Sequence, residues 1–195
     1  MIRGWETGRF ANRQDAGLRL AAALARYAGR DDLVVIALPR GGVPVGYEVA
    51  HALGAPLDVM QVRKLGVPGH EELAMGAIAS GGVRIVSEDI VEALGIPERV
   101  IAPVAAAEAQ ELERRERIYR EGGHLPKLGG RLVILVDDGL ATGSTMRAAA
   151  AALRALGAGR LVAAVPVGSR DSCESLRDVV DEVVCLLRPE HFVAV

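Results

Sequence analysis

Residues 132–145 read Leu132-Val133-Ile134-Leu135-Val136-Asp137-Asp138-Gly139-Leu140-Ala141-Thr142-Gly143-Ser144-Thr145. Five aliphatic residues without alternation predict a strand buried on both faces, as in a parallel sheet. The run ends in two acids, and a loop of small and hydroxylated residues then leads into helical spacing over 145–156. Such a turn offers backbone N–H donors backed by the helix dipole, which suits a phosphate. Two carboxylates touching that phosphate would repel it, so their partner must be sugar hydroxyls or a divalent cation. A sugar phosphate satisfies both halves. The competing reading, that Asp-Asp-Gly turns the chain and Thr142 or Ser144 caps a helix, stays open at this point.

Outward from this stretch, apolar runs recur at 33–38 (LVVIAL) and 161–167 (LVAAVPV), with weaker candidates at 57–62 (LDVMQV) and 182–187 (EVVCLL). Helical spacing fills 13–28, 43–53, 97–120 and 169–179, with Asn12 and Ser169 as N-cap candidates and Gly29, Gly54 and Gly157 as helix stops. Alternating strand and helix predict an α/β fold: a doubly wound, mainly parallel sheet flanked by helices and joined by right-handed crossovers. Residues 66–82 carry too many breakers for a helix and predict a mobile loop or small hairpin. The segment 105–120 predicts a long solvated helix with Glu111 facing Arg115 and Glu116 facing Arg120. No repeat or dividing linker is evident, so residues 1–195 are read as one domain.

Ligands of an open parallel sheet bind beyond the carboxyl ends of its strands. Pro39-Arg40-Gly41-Gly42-Val43-Pro44 follows the run at 33–38. Paired glycines let the backbone approach a ligand closely, and Arg40 offers a forked donor for phosphate oxygens. Arg63-Lys64 follows the run at 57–62, a cationic pair suited to a polyphosphate. No GK[ST] follows the acidic loop and no G-x-G-x-x-G occurs, which excludes a Walker A loop and the dinucleotide fingerprint.

Composition narrows the function classes. At 195 residues, 50% hydrophobic and 25% charged, the chain is too apolar for a disordered one and long enough to bury about 70% of its unfolded surface. Aromatics are only 3%, so the core must be aliphatic. A net charge of −2 provides no overall basic field for nucleic acid or an anionic membrane. All but Lys64 and Lys127 of the 23 basic residues are arginines, so a lysine is the more informative cation. Cys173 and Cys185 form no CxxC and fit a reducing compartment, leaving both free thiols and a disulfide open. With no signal-peptide pattern or long apolar window, the expected location is the cytoplasm. Neither the histidines His51, His124 and His191 nor His70-Glu71-Glu72-Leu73 has metal-ligand spacing, and Ser144 lacks a nucleophile elbow. Trp5 and Phe10 precede the first helix and either cover a core edge or dock against another subunit.

The stretch VILVDDGLATGST, 133–145, resembles the signature of the type I phosphoribosyltransferases, with the likeness covering roughly 33–168 and nearest an uncharacterised bacterial branch. The resemblance implies transfer of a 5-phosphoribosyl group from phosphoribosyl pyrophosphate to a nitrogen nucleophile, a nucleobase, with release of pyrophosphate. It assigns the ribose hydroxyls to Asp137 and Asp138, and the 5′-phosphate to Ala141, Thr142, Gly143, Ser144 and Thr145. Pyrophosphate falls to Arg40, Gly41, Gly42, Arg63 and Lys64. The catalytic set so implied is Asp137, Asp138, Arg40 and Lys64, with Mg²⁺ held mainly through the substrate and Asp137 as a candidate protein ligand. Residues 65–74 would close over the site. A homodimer is implied by likeness alone, and neither membrane nor nucleic acid is expected as a partner.

The sequence departs from the family at two places. Ala141 stands where hypoxanthine-guanine relatives carry a further acid, which disfavours a 6-oxopurine mechanism and leaves Glu71 or Glu72 as a loop base in the manner of adenine enzymes. Relatives continue beyond a segment like Phe192-Val193-Ala194-Val195, so base contacts supplied there would lie outside this sequence. A non-catalytic regulatory protein sensing phosphoribosyl pyrophosphate or a nucleotide is the alternative reading. In its RNA-binding form, Arg114, Arg115, Arg117 and Arg120 would make a basic stripe, which the interleaved Glu111, Glu113 and Glu116 oppose.

Overall fold

A computed structural model of the protein describes residues 9–120 and 125–189, the side chains of 118–120 excepted. Five strands form the main sheet: β1 (Leu33–Ala37), β2 (Leu57–Val59), β6 (Leu132–Val136), β7 (Arg160–Val167) and β8 (Glu182–Leu187). Their order is β2-β1-β6-β7-β8 and every pair is parallel. The doubly wound reading holds, and its cause is visible in β1 and β6, all ten of whose residues are buried. Alternate side chains enter opposite layers. Leu33, Val35, Ile134 and Val136 pack with α1 (Arg13–Ala23) and α2 (Gly42–Leu53), through Leu20, Ala21, Val45 and Val49. Val34, Ile36, Val133 and Leu135 pack with α5 (Ser144–Ala155), through Met146, Ala149, Ala150 and Leu153.

The second sheet departs from the sequence reading at 57–62 and bears out its hairpin alternative at 66–82. Residues 57–62 do not form one strand: β2 ends at Val59, and Met60 and Gln61, both buried, link it to the next strand at Val62. β3 (Val62–Val67), β4 (His70–Ala79) and β5 (Val83–Val86) then form an antiparallel sheet. The stretch 66–82 is therefore mostly strand, with turns at Gly69 and at Gly81-Gly82, all three with φ between 73° and 84°. Two of its glycines sit where neighbouring backbone leaves no room for a side chain. A Cβ on Gly66 would lie 2.8 Å from the Glu71 carbonyl oxygen, and one on Gly76 would strike that of Ile85. These glycines permit close strand approach and, at Gly66, a bulge, so the breakers here mark a hairpin rather than a mobile loop.

α3 (Glu88–Ala93), which periodicity did not predict, and α4 (Glu98–Arg120) cover this sheet. Leu65, Met75, Ile78, Ile101, Ala105 and Leu112 form its own core. Its inner edge meets α5, where Val62, Ala79 and Val83 join the main core. α6 (Arg170–Ser175) precedes β8. Expected helices end earlier than periodicity suggests: α1 tightens into a 3₁₀ turn at Ala25–Tyr27, and α6 into another at Leu176–Asp178. Both N-caps form, with Asn12 accepting from the Asp15 N–H at 2.9 Å and Ser169 from the Ser172 N–H at 3.1 Å. On α4, Arg115 pairs with Glu111 at 2.7 Å, whereas the Arg120 side chain lies outside the described residues. Cys173 and Cys185 are free thiols, and burial pushes the Cys185 thiol up to about 12. Trp5, His124 and His191 also lie outside the described residues. Among those residues no helix is long and apolar enough to cross a membrane.

Candidate functional site

Adjacent in-register strands bring two βα turns together. Ala37 of β1 is paired with Val136 of β6, so the chain after each emerges at the same edge. Leu38 donates its N–H to the Val136 carbonyl at 2.9 Å, and Gly42 closes the turn by donating to Leu38 at 3.0 Å. The Pro39-Arg40 peptide is cis. Gly41 faces the Asp138 carboxylate so closely that a Cβ would coincide with it, and a Cβ on Gly42 would sit 2.9 Å from Asp137 Cα and the Val136 oxygen. The paired glycines are thus required first by the acid pair beside them.

Asp137 and Asp138 sit at the end of β6, partly buried. Asp138 donates its backbone N–H to Asp137 Oδ1 at 2.8 Å. Burial pushes the Asp137 carboxyl up to about 7, and the Asp138 charge adds to the rise, while the Asp138 N–H and the Arg13 charge oppose it. Asp138 has a counter-ion: Nε and Nη2 of Arg13 both lie 2.8 Å from its Oδ2. Arg13, the first residue of α1, was not among the residues the sequence singled out. One arginine among many, it carries no local signal.

The loop beyond the acids wraps a cavity of about 180 Å³ lined by Asp137 and residues 139–146. Gly143, φ 73°, supplies the left-handed turn into α5. Thr142 and Ser144 hydroxyls are 3.1 Å apart at its mouth. In the first turn of α5 the Ser144 N–H reaches the Thr142 hydroxyl at 3.5 Å, and the Thr145 and Met146 amides, which have no intrahelical acceptor, point to where an anion would sit. The loop is braced from behind: Leu140 donates to Val167 at 2.9 Å, and the Ser169 and Ser172 hydroxyls both donate to the Ala141 carbonyl. Ser169 was legible as a helix cap; its second role and Ser172 were not.

Arg63 and Lys64 require a correction. They do not close a strand of the main sheet but lie inside β3, where alternation sends them to opposite sides. Arg63 turns to α4 and pairs with Glu108 at 2.6 Å. Lys64 lines a cavity of about 570 Å³ together with Thr142, Ser144, Arg147, Glu72 and Ser87. The two loop acids also separate. Glu71 accepts from the Gly69 N–H at 3.1 Å, and backbone N–H groups, its own foremost, hold its carboxyl below the usual range. Glu72 borders the cavity that holds Lys64 and Thr142. A larger cavity of about 650 Å³, beside Leu112, Lys127 and Leu156, contains none of the strand-end residues. Among the described residues no cluster of three or more His, Cys, Asp or Glu could hold a metal ion.

The family model described as the phosphoribosyl transferase domain matches residues 11–195. The chain belongs to the phosphoribosyl transferase family. Two Mycobacterium tuberculosis proteins, from different strains and with names that place them provisionally among the phosphoribosyl transferases, are each 47% identical over 186 residues. That covers 95% of this chain but 42% of each relative, so the chain spans about two-fifths of their length. Among solved structures, protein TT1426 of Thermus thermophilus superposes with a TM-score of 0.86 at 41% identity, over 95% of this chain and 88% of that one. A purine phosphoribosyltransferase of Pyrococcus horikoshii shares the fold at a TM-score of 0.52 and 21% identity, over 93% of this chain and 86% of that one.

Proposed function

We propose that the chain binds phosphoribosyl pyrophosphate at this sheet edge and transfers its 5-phosphoribosyl group to a nitrogen nucleophile, a nucleobase, releasing pyrophosphate. One observation carries the reading: an acid pair and an anion-ready loop share a strand end, with the Gly41-Gly42 turn packed directly against the acids. Asp137 and Asp138 accept the ribose hydroxyls. Residues Ala141, Thr142, Gly143, Ser144 and Thr145 cradle the 5′-phosphate. Arg40, Gly41, Gly42 and Lys64 face the pyrophosphate; Arg63, engaged by Glu108, reaches it only by giving up that pair. Residues 1–195 act as one unit in this reading, in the cytoplasm and as a homodimer.

The C1–oxygen bond to pyrophosphate breaks ahead of C1–nitrogen bond formation, with inversion, so charge management and positioning carry the catalysis. Lys64 and Arg40 offset the leaving group's charge. Closure of the β3–β4 ribbon over 65–74 excludes water. Glu72, bordering the cavity, is the better placed of the two loop acids to take the acceptor's proton. Two acids, one of them already paired with Arg13, do not make a protein cage for a cation. They fit Mg²⁺ carried in mainly on the donor's own oxygens, with Asp137 as the protein contact; when bound it would neutralise pyrophosphate charge.

Calorimetric titration of phosphoribosyl pyrophosphate with Mg²⁺ into wild type and Asp137→Asn/Asp138→Asn tests this. Binding lost in the double variant is expected; a folded wild type that does not bind overturns it. A sensor without turnover is the second reading, favoured by Ala141, a methyl side chain where an acid would serve a purine. Pyrophosphate release with any nucleobase separates the two.

A further inference from the structure

We propose that Arg13 is a positioning residue of the donor site, holding the Asp138 carboxylate in place and offsetting its charge so that a polyanionic sugar phosphate is accepted beside it. The proposal rests on the donor-site reading above. Two guanidinium nitrogens, Nε and Nη2, each 2.8 Å from one oxygen, Asp138 Oδ2, fix that oxygen more tightly than a single contact would. The same oxygen, Oδ2, is also the atom nearest the place a Gly41 Cβ would take, so the carboxylate stands against bare glycine backbone. Between them, Arg13 and Gly41 define where the acid stands.

The backbone that delivers Arg13 is itself held. Asn12 caps α1 by accepting from Asp15 N–H at 2.9 Å, and Asp15 accepts from Ala11 N–H and from Arg19 Nε, each at 3.0 Å. The Arg13 side chain is 52% exposed and that of Asp138 18%. An ion pair this open adds little to folding. Its electrostatic effect on the site is larger, because the Asp138 charge beside a phosphate pocket would otherwise repel the ligand.

The test is the calorimetric affinity for phosphoribosyl pyrophosphate with Mg²⁺ in wild type, Arg13→Ala, Arg13→Lys, Asp138→Asn and Arg13→Ala/Asp138→Asn, with the thermal midpoint of each. Arg13→Ala is expected to bind about tenfold more weakly with a midpoint within a few degrees of wild type, and Arg13→Lys to recover part of the loss. In the Asp138→Asn background, removing Arg13 should change affinity less than about twofold, because there is no charge left to hold. Arg13→Ala binding as tightly as wild type, or tighter, overturns the proposal, as does an undiminished loss in the Asp138→Asn background. Where Asp138→Asn leaves no measurable affinity, recovery by lysine supports the proposal and its absence overturns it. A folded wild type that ignores the ligand overturns the donor-site reading itself, a result distinct from the failure of Arg13 alone.

Discussion

The place a Gly41 Cβ would take is occupied by the carboxylate of Asp138. The two residues belong to neighbouring turns on strands paired in register, Ala37 with Val136. Paired strands run only about 4.8 Å apart, so two loops leaving the same edge collide unless one of them lacks side chains. The glycine pair after β1 is therefore a condition for the acid pair after β6.

Gly41→Ala should displace the Asp138 side chain rather than unfold the protein, because the obstructing atoms are the end of a short side chain. Affinity for phosphoribosyl pyrophosphate with Mg²⁺ should fall at least about tenfold with a stability loss of about 1 kcal/mol. Gly129→Ala, which meets nothing within 4 Å, is the matched control and should leave both unchanged. Calorimetry and urea unfolding on the two variants check this.

Asp137 makes stability depend on pH in a definite direction. Its folded value, about 7, lies above the ordinary 3.8. Between pH 4 and 7 the folded protein keeps a proton that the unfolded chain has released, so its contribution is present at the acid end and lost as pH rises through 7. The unfolding free energy of wild type, from urea titrations, should decline across that window relative to Asp137→Asn by on the order of a few kcal/mol. Parallel profiles for the two proteins would contradict the assignment.

Lys64 and Arg63, neighbours in sequence, should behave differently. Lys64→Ala removes a cation from the cavity shared with Thr142 and should weaken donor binding about tenfold with little change in stability. Arg63→Ala breaks the part-exposed pair with Glu108 and should cost up to about 1 kcal/mol while leaving donor affinity within about twofold. The reverse pattern in paired titration and unfolding experiments would mean that Arg63 leaves Glu108 for the ligand.

Ser172→Ala removes a donor to the Ala141 carbonyl and loosens the floor of the phosphate loop. A loss of about 1 kcal/mol in stability is expected, with a several-fold drop in affinity for inorganic phosphate or the donor. Ser169→Ala/Ser172→Ala should lose more than either single change, because both hydroxyls serve one carbonyl. Unfolding and titration of the three variants measure it.

The main sheet was legible because its information is local. Strands such as Leu132–Val136 are apolar at every position, and that pattern has one common meaning, burial on both faces. The acid pair and the loop 141–145 were legible for the same reason: strand end, turn and helix start are contiguous, so their chemistry is written in one run of residues. Helix ends and the second sheet were less so. Gly66 and Gly76 belong to strands for a reason outside their own segment, the nearness of Glu71 and Ile85.

The sequence by itself determined the layered α/β class, the strand end that carries the acids and the phosphate-suited turn beside them. Only the tertiary structure decided that Lys64 faces that turn while Arg63 faces Glu108, that Ser172 braces Ala141, and that Arg13 meets Asp138. Periodicity and propensity act over a few residues, whereas an ion pair between positions 125 apart exists only once the sheet has brought α1 and the end of β6 to one place.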